Sequence, residues 1–176
     1  LPQSGTIVSG MGITALEGLI SDVLRLEDSD FRSLVETRVI LETNSASLAA
    51  EHRTLEELGE IEEALVAHKA KVKMGDPGVE EDLMFHLKIA EASKNSVLTS
   101  LMLIITPDIL SFFKKHDVCG EGRFIAATEE HEVILEHIRN KDVEKAGLVM
   151  NRHLKDIQEF AKTKNERFNI LLNRNQ

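Results

Sequence analysis

The sequence contains few of the residues that form cross-links, aromatic clusters or sharp bends. Among its 176 residues there is one cysteine, so an internal disulfide is excluded and nothing indicates an oxidising compartment. Tryptophan and tyrosine are absent, and there are only three prolines. The core must therefore consist mainly of aliphatic side chains with a few phenylalanines, a mixture that suits packed helices.

Basic residues and long apolar runs are also scarce. The chain has 21 Lys and Arg against 30 Asp and Glu, which gives a formal net charge of −9. Because an acidic chain without a basic patch repels phosphate backbones, this stretch by itself is not expected to bind nucleic acid. No run approaches the roughly 20 apolar residues that a membrane span needs, and the N-terminus shows no signal-peptide pattern. We therefore expect a cytoplasmic protein without membrane contact.

From position 14 onward, apolar residues recur at helical spacing. Thr54 and Glu57 have the spacing of a capping box, and Pro107 is expected to kink or break the most apolar stretch. The fold class predicted is an all-α antiparallel bundle of six to seven helices. The predicted helices cover about 14–26, 29–51, 56–72, a segment with Asp82 and His86 that ends near 95, 96–113, 123–139 and 142–165.

The first ten residues, LPQSGTIVSG, differ from the rest of the chain. Pro2 and Gly5 are turn formers, and 6–8 is a short β-branched run. This pattern predicts a short β segment before the helices.

Four residues are spaced so that a helical chain brings them to one point. Asp82 and His86 are four residues apart, which places them one turn apart on one face of a helix. His131 and His153 lie on two predicted helices joined by a turn at 140–142, close to their midpoint in the sequence. In an antiparallel pair they therefore stand at nearly the same height.

One carboxylate and three imidazoles form a ligand set for a divalent transition metal, with zinc expected first and nickel or manganese as alternatives. Such a centre has room for water or an anionic ligand. The glutamates near His131, which are Glu129, Glu130 and Glu132, are expected to be solvated or to support the ligands, and no catalytic residue is predicted. The remaining histidines lack this spacing and are expected to be surface or structural residues: His52, His68, His116 and His137.

Three segments carry a resemblance to a known family: FRSLVETRVILETNSASLAAEHRT, DLMFHLKIAEASKN and HEVILEHIRNKDVEKAGLVMNRHL. As a set, over about 30–165, they resemble the effector-binding domain of the FadR-type branch of the GntR family of bacterial transcription regulators. The first residues, LPQSGTIVS, resemble the wing of that family's winged helix-turn-helix domain. The resemblance implies a remnant wing at 1–10, a linker helix at 11–28 and an all-helical, metal-dependent effector-binding domain at 29–176.

The resemblance also implies that the same four residues hold the metal and that a small carboxylate or sugar acid is the effector. Arg38 matches an arginine near the effector pocket, and a guanidinium can clamp a carboxylate. The alternative for Arg38 is an exposed helix arginine. Asn95 matches a residue after the Asp–His helix, with a cap of 96–113 as its alternative. A homodimer, and operator DNA bound through the mostly absent N-terminal domain, are further expectations.

One feature departs from the family pattern, because 96–113 carries no arginine where relatives often have one. The polar groups available there are Thr99, Ser100 and Thr106. We therefore expect an effector that is less charged or is recognised by hydroxyl groups.

Two other functions are compatible with the same four residues. A helical metal-dependent hydrolase or oxygenase could activate water at such a centre, although no general base is evident. A purely structural metal would stabilise the bundle without a response to small acids. The sequence favours a sensor domain of a transcription regulator over both.

Overall fold

The computed structural model describes residues 31–116, 118 and 122–174, with side chains described through 159. Within these ranges the chain is all-helical and contains no strand, which confirms the predicted fold class. The predicted wing at 1–10 and linker helix at 11–28 lie outside the described residues. The described helices are α1 (Phe31–His52), α2 (Leu55–Lys73), α3 (Val79–Ala92), α4 (Ser96–His116), α5 (Arg123–Arg139) and α6 (Val143–Arg174).

The capping box predicted at the start of α2 is present. The Thr54 hydroxyl accepts a hydrogen bond from the Glu57 backbone N–H at 3.1 Å, and the Glu57 carboxylate accepts one from the Thr54 N–H at 2.9 Å. Two otherwise unpaired backbone donors are thereby satisfied. The box fixes where the chain turns from α1 into α2.

Helix α4 continues through Pro107, so of the two expected outcomes at that residue the break is wrong and the kink stays a prediction. A proline removes one backbone donor, and packing of the apolar face can offset that loss. The helix has 21 residues, and by length and composition alone it could cross a membrane, which corrects the expectation that the stretch is too short. Core helices of soluble proteins pass the same test. Its inward face is buried in the bundle: Met102, Ile105, Ile109, Phe112 and Phe113.

Helix α1 lies at the centre of the bundle and packs most extensively against α6, and also against α3, α4 and α5. Gly147 of α6 permits this close approach, because a Cβ there would lie 2.3 Å from Ser47 Oγ and 3.3 Å from the Thr43 carbonyl oxygen of α1. Helix α3 packs on α1, α2 and α4, while α5 packs on α1, α2 and α6. This arrangement brings α3, α5 and α6 together around one buried point.

Candidate metal centre

The structure brings the four predicted ligands to that point. Asp82 and His86 project from α3, His131 from α5 and His153 from α6, and all four are at most 7% exposed. One ligand atom from each can be chosen so that all lie within 4.8 Å of one another. His131 Nε2 lies 3.1 Å from His153 Nε2 and 3.5 Å from Asp82 Oδ1. The expected antiparallel register of α5 and α6 therefore places both histidines at the same height.

The donor set fits a divalent metal. Bonds of roughly 2.0–2.1 Å from nitrogen to zinc place neighbouring ligand atoms roughly 3–3.5 Å apart, as seen for His131 and His153. His86 Nε2 is buried without a hydrogen-bond partner among the described residues, 3.9 Å from Asp82 Oδ2. A buried ring nitrogen of this kind is costly unless a proton donor or a metal engages it.

A buried ion pair supports His86 from behind. His86 Nδ1 lies 2.5 Å from Glu42 Oε2, and Arg38 Nε donates to the other oxygen of Glu42. Since a carboxylate only accepts, the proton of His86 is held on Nδ1, which leaves the Nε2 lone pair directed at the site. Sequence reasoning missed Glu42, although its position four residues after Arg38 signals an ion pair on one helix face.

Glu130 supports His153 in the same way. His153 Nδ1 lies 2.6 Å from Glu130 Oε2, so the ring donates to the carboxylate and keeps the Nε2 lone pair free. Arg123 holds this glutamate, with Nη1 3.3 Å from each of its oxygens, and its Nη2 donates to the His153 carbonyl at 3.1 Å. Of the glutamates near His131, Glu130 is thus the one that contacts a candidate ligand, His153.

The pKa shifts at the site favour the protonation states in which its side chains can bind a metal. Burial, together with the neighbouring His153 and His86, lowers the pKa of His131 well below its usual value. Burial also lowers the pKa of His153, against the opposing effect of its hydrogen bond to Glu130. Burial alone would raise the pKa of Glu42, yet Arg38 and His86 beside it lower it to about 2. Neutral imidazoles next to ionised carboxylates are the protonation states that bind a metal.

His68 is a buried histidine that sequence reasoning assigned to the surface or to structural roles. It lies on α2 and is 1% exposed, with its ring centroid 5.4 Å from that of His131. Its Nε2 lies 3.2 Å from the carbonyl oxygen of Pro77 in the turn before α3. No spacing rule connects α2 to the ligand helices, so only the tertiary fold reveals this neighbour.

The two predicted effector-binding residues occupy different places. Arg38 is fully buried behind His86, bonded to Glu42, with its guanidinium carbon 5.4 Å from the centre of the Phe113 ring. Asn95 is exposed just before α4, where its Oδ1 accepts from the Leu98 N–H at 3.2 Å. Asn95 therefore acts as a helix cap, and the role of both residues toward an effector stays a prediction.

A small cavity adjoins the centre, and a larger cleft shares two lining residues with it. The inner cavity, of about 20 Å³, touches Asp82 and His153 and has room for roughly one water molecule. An outer cleft of about 340 Å³ is lined by Lys71 and Lys114. Pro77 and Phe113 line both spaces. Pro77 and Phe113 thus form an apolar wall between the inner cavity and the larger cleft.

Comparison with known proteins gives consistent results. The family model of the FCD domain matches residues 33–156. The chain is 30% identical over 165 residues to the HTH-type transcriptional regulator LutR of Bacillus subtilis (strain 168), covering 88% of this chain and 73% of LutR. It is 28% identical over 132 residues to the galactonate operon transcriptional repressor of Escherichia coli (strain K12), covering 71% of this chain and 58% of that protein. The solved structure of Streptococcus agalactiae GntR shares the fold, with a TM-score of 0.67, 23% identity, and coverage of 90% of this chain and 73% of that one.

The match to the FCD family, on an all-helical bundle around a buried carboxylate–histidine cluster, identifies a ligand-sensing regulatory domain. The chain belongs to the FCD domain family of GntR-type transcriptional regulators. This assignment confirms the predicted family, and it is inconsistent with the alternative of a metal-dependent hydrolase, because the relatives are regulators and not enzymes.

Proposed function

We propose that this domain binds a small carboxylate or sugar acid at a divalent metal, zinc first, held by Asp82, His86, His131 and His153. The observation that carries the proposal is the convergence of these four buried groups, with ligand atoms within 4.8 Å of one another. A metal bound there supplies a positive charge that holds the carboxylate of the effector. The galactonate repressor's name supports a sugar acid, because galactonate is one.

The small size of the inner cavity links effector binding to a change in the conformation of the bundle. A space for roughly one water molecule cannot admit a carboxylic acid unless the surrounding side chains move. The bundle would then have two forms, one closed and one with room for the acid. An acid that binds the second form more tightly shifts the population toward that form, to the extent that the affinities of the acid for the two forms differ. We infer that this shift changes the geometry of a DNA-binding domain and so controls transcription.

The wider setting is part of the same proposal. The full protein acts as a cytoplasmic homodimer and binds operator DNA through an N-terminal winged helix-turn-helix domain. The acidity of this chain supports the assignment of DNA binding to a separate domain, since a net charge of −9 disfavours direct contact with DNA. Arg38 and Asn95 remain the proposed effector contacts of the domain.

Elemental analysis of the purified chain tests the metal. We expect about one metal ion per chain in the wild type and none in the double variant His131→Ala with His153→Ala. The matched control is His52→Ala with His137→Ala, which removes two histidines away from the centre. Full metal content in the His131/His153 variant means that the ligand assignment is wrong.

Thermal unfolding tests the effector. Small carboxylates and sugar acids are added to the metal-loaded chain, with and without chelator. An acid at 100-fold excess over its dissociation constant adds about 2.7 kcal/mol of stability. If metal raises the melting temperature but no acid adds to it, the metal is structural and the sensing function is refuted.

A further inference from the structure

The three histidine ligands differ in how their second ring nitrogen is satisfied. His153 Nδ1 is hydrogen-bonded to Glu130, and His86 Nδ1 lies 2.5 Å from a carboxylate oxygen of Glu42, in an ion-pair contact without hydrogen-bond geometry. His131 Nδ1 is equally buried, yet it has no hydrogen-bond partner among the described residues. A metal-ligating histidine almost always donates its second N–H to an acceptor, so one acceptor is missing at His131.

His68 offers the matching group. Its Nε2 lies 3.2 Å from the Pro77 carbonyl oxygen, and because a carbonyl can only accept, this nitrogen carries the proton. The Nδ1 of a neutral His68 is then an acceptor, and it too is buried without a hydrogen-bond partner in the described part of the chain. The two unmatched nitrogens are therefore complementary, one a donor and one an acceptor.

The separation of the two rings allows them to meet. The centroids of His68 and His131 are 5.4 Å apart, which brings ring nitrogens to hydrogen-bond distance once they face each other. The last side-chain torsion, which is broad for histidine, sets which ring atoms face each other. Leaving both groups buried and unpaired is unfavourable, and one bond between them removes both penalties.

We propose that, when the site holds a metal, His68 Nδ1 accepts a hydrogen bond from the Nδ1–H of His131. This bond joins the metal centre to the backbone of the turn at Pro77. The inference rests on metal binding by the four ligands and assigns His68 as a positioning residue. The hydrogen-bonded chain runs from His131 Nδ1–H to His68 Nδ1, and from His68 Nε2–H to the Pro77 carbonyl. Because Pro77 also lines the wall between the two cavities, metal binding and the position of that wall become coupled.

The first measurement uses the wild-type chain loaded with Zn²⁺. Long-range proton–nitrogen NMR spectra of the histidine rings report which nitrogen of each ring carries the proton. We expect His68 as the Nε2–H tautomer and His131 as the Nδ1–H tautomer, with the His68 Nδ1 resonance shifted by Zn²⁺. A Zn²⁺-loaded chain in which His68 carries its proton on Nδ1 overturns the proposal.

The second measurement compares Zn²⁺ affinity, by competition with a chelator, in His68→Leu and His68→Gln. Leucine removes the acceptor, so we expect a loss of about 10-fold, whereas glutamine keeps one donor and one acceptor and recovers most of it. The control His52→Leu removes a histidine at the exposed end of α1. A structural role alone lowers the metal-free melting temperature of both His68 variants and leaves Zn²⁺ affinity unchanged, which contradicts the proposal.

The outcomes separate this inference from the proposed function. If the wild type binds no Zn²⁺, both are wrong. If it binds Zn²⁺ and His68→Leu keeps its affinity within about two-fold, the metal site stands and the role of His68 falls. If His68→Leu does not fold, the tautomer of His68 in the wild type decides the matter.

Discussion

His153 and Glu130 face each other across the contact between α5 and α6, with His153 Nδ1 2.6 Å from Glu130 Oε2. The carboxylate is about one-third exposed, whereas the histidine is almost fully buried. The pair thus anchors a buried ligand to a group at the edge of the bundle. It fixes the tautomer and the orientation of the ring through one contact.

Replacing Glu130 should weaken metal binding. In Glu130→Leu the His153 ring loses the acceptor that orients it, so we expect the metal dissociation constant to rise 10-fold or more, by roughly the range known for such supporting residues. Glu129→Leu is the matched control, since this neighbouring glutamate is exposed. Equal Zn²⁺ affinities for the two variants in a chelator competition would contradict the role of Glu130.

Removing one partner of the buried Arg38–Glu42 pair should strongly lower the stability of the fold. Glu42→Leu removes the carboxylate that balances the buried guanidinium, and we expect a loss of about 3–5 kcal/mol in the free energy of unfolding. The pair Arg32–Glu36 has the same i, i+4 spacing on the same helix but is exposed, so Glu36→Leu should cost less than about 1 kcal/mol. Urea denaturation of the metal-free variants measures both. A similar small loss in the two variants would show that burial does not distinguish the pairs.

Acid should destabilise the metal-free chain. The folded state lowers the pKa of His131 and of His153, so below the unfolded value of about 6.5 the unfolded state binds more protons. Stability therefore falls as pH decreases through that value, by up to about 1.4 kcal/mol per pH unit for each histidine. Glu42 adds a separate loss only below its unfolded value of 4.5, as pH approaches its folded value of about 2.

Urea unfolding of the metal-free chain between about pH 7 and pH 5.5 measures the histidine contribution. The variant His131→Phe should show a shallower slope than the wild type, because it has one fewer buried histidine to protonate on unfolding. A wild-type free energy that is constant over this range means that the two histidines are not held neutral by the fold.

Alanine should be less well tolerated at Gly78 than at Gly75 in the turn before α3. Gly75 and Gly78 both have positive φ angles, of 78° and 61°, so alanine at either residue costs about 1 kcal/mol of backbone strain. Only at Gly78 would the new Cβ also meet other atoms, at 2.9 Å from His68 Cδ2 and from Lys71 Cβ. We expect Gly78→Ala to lower the melting temperature more than Gly75→Ala and to weaken Zn²⁺ binding through displacement of His68. Identical effects of the two variants would argue against the tight packing of this turn on His68.

Helix periodicity and the spacing of four residues were sufficient to predict the fold class and the convergence of four candidate metal ligands. Asp82 and His86 share a helix face by local geometry alone, and a short turn makes the register of His131 and His153 calculable. The capping box at Thr54 was predictable for the same reason, since all its atoms lie within one turn of helix.

Features that depend on tertiary packing were not predictable in this way. The chain does not break at Pro107, and α4 continues with one face buried against the bundle. His68 and Glu42 come from α2 and α1, and no sequence interval reveals their distance from ligands on α3 and α5. A buried charge such as Glu42 can be suspected from its i, i+4 arginine, but only the packed structure shows that both are buried.

The depth of the centre has a consequence for the rate at which an ion is exchanged. All four groups of the proposed metal centre are at most 7% exposed, so release of an ion held there would require the surrounding helices to separate locally. The lifetime of the bound ion would then be set by the frequency of that opening and not by the strength of the bonds alone. In the proposed sensor, a brief depletion of free metal would therefore leave the loaded protein unchanged, and the response would follow the supply of the acid alone.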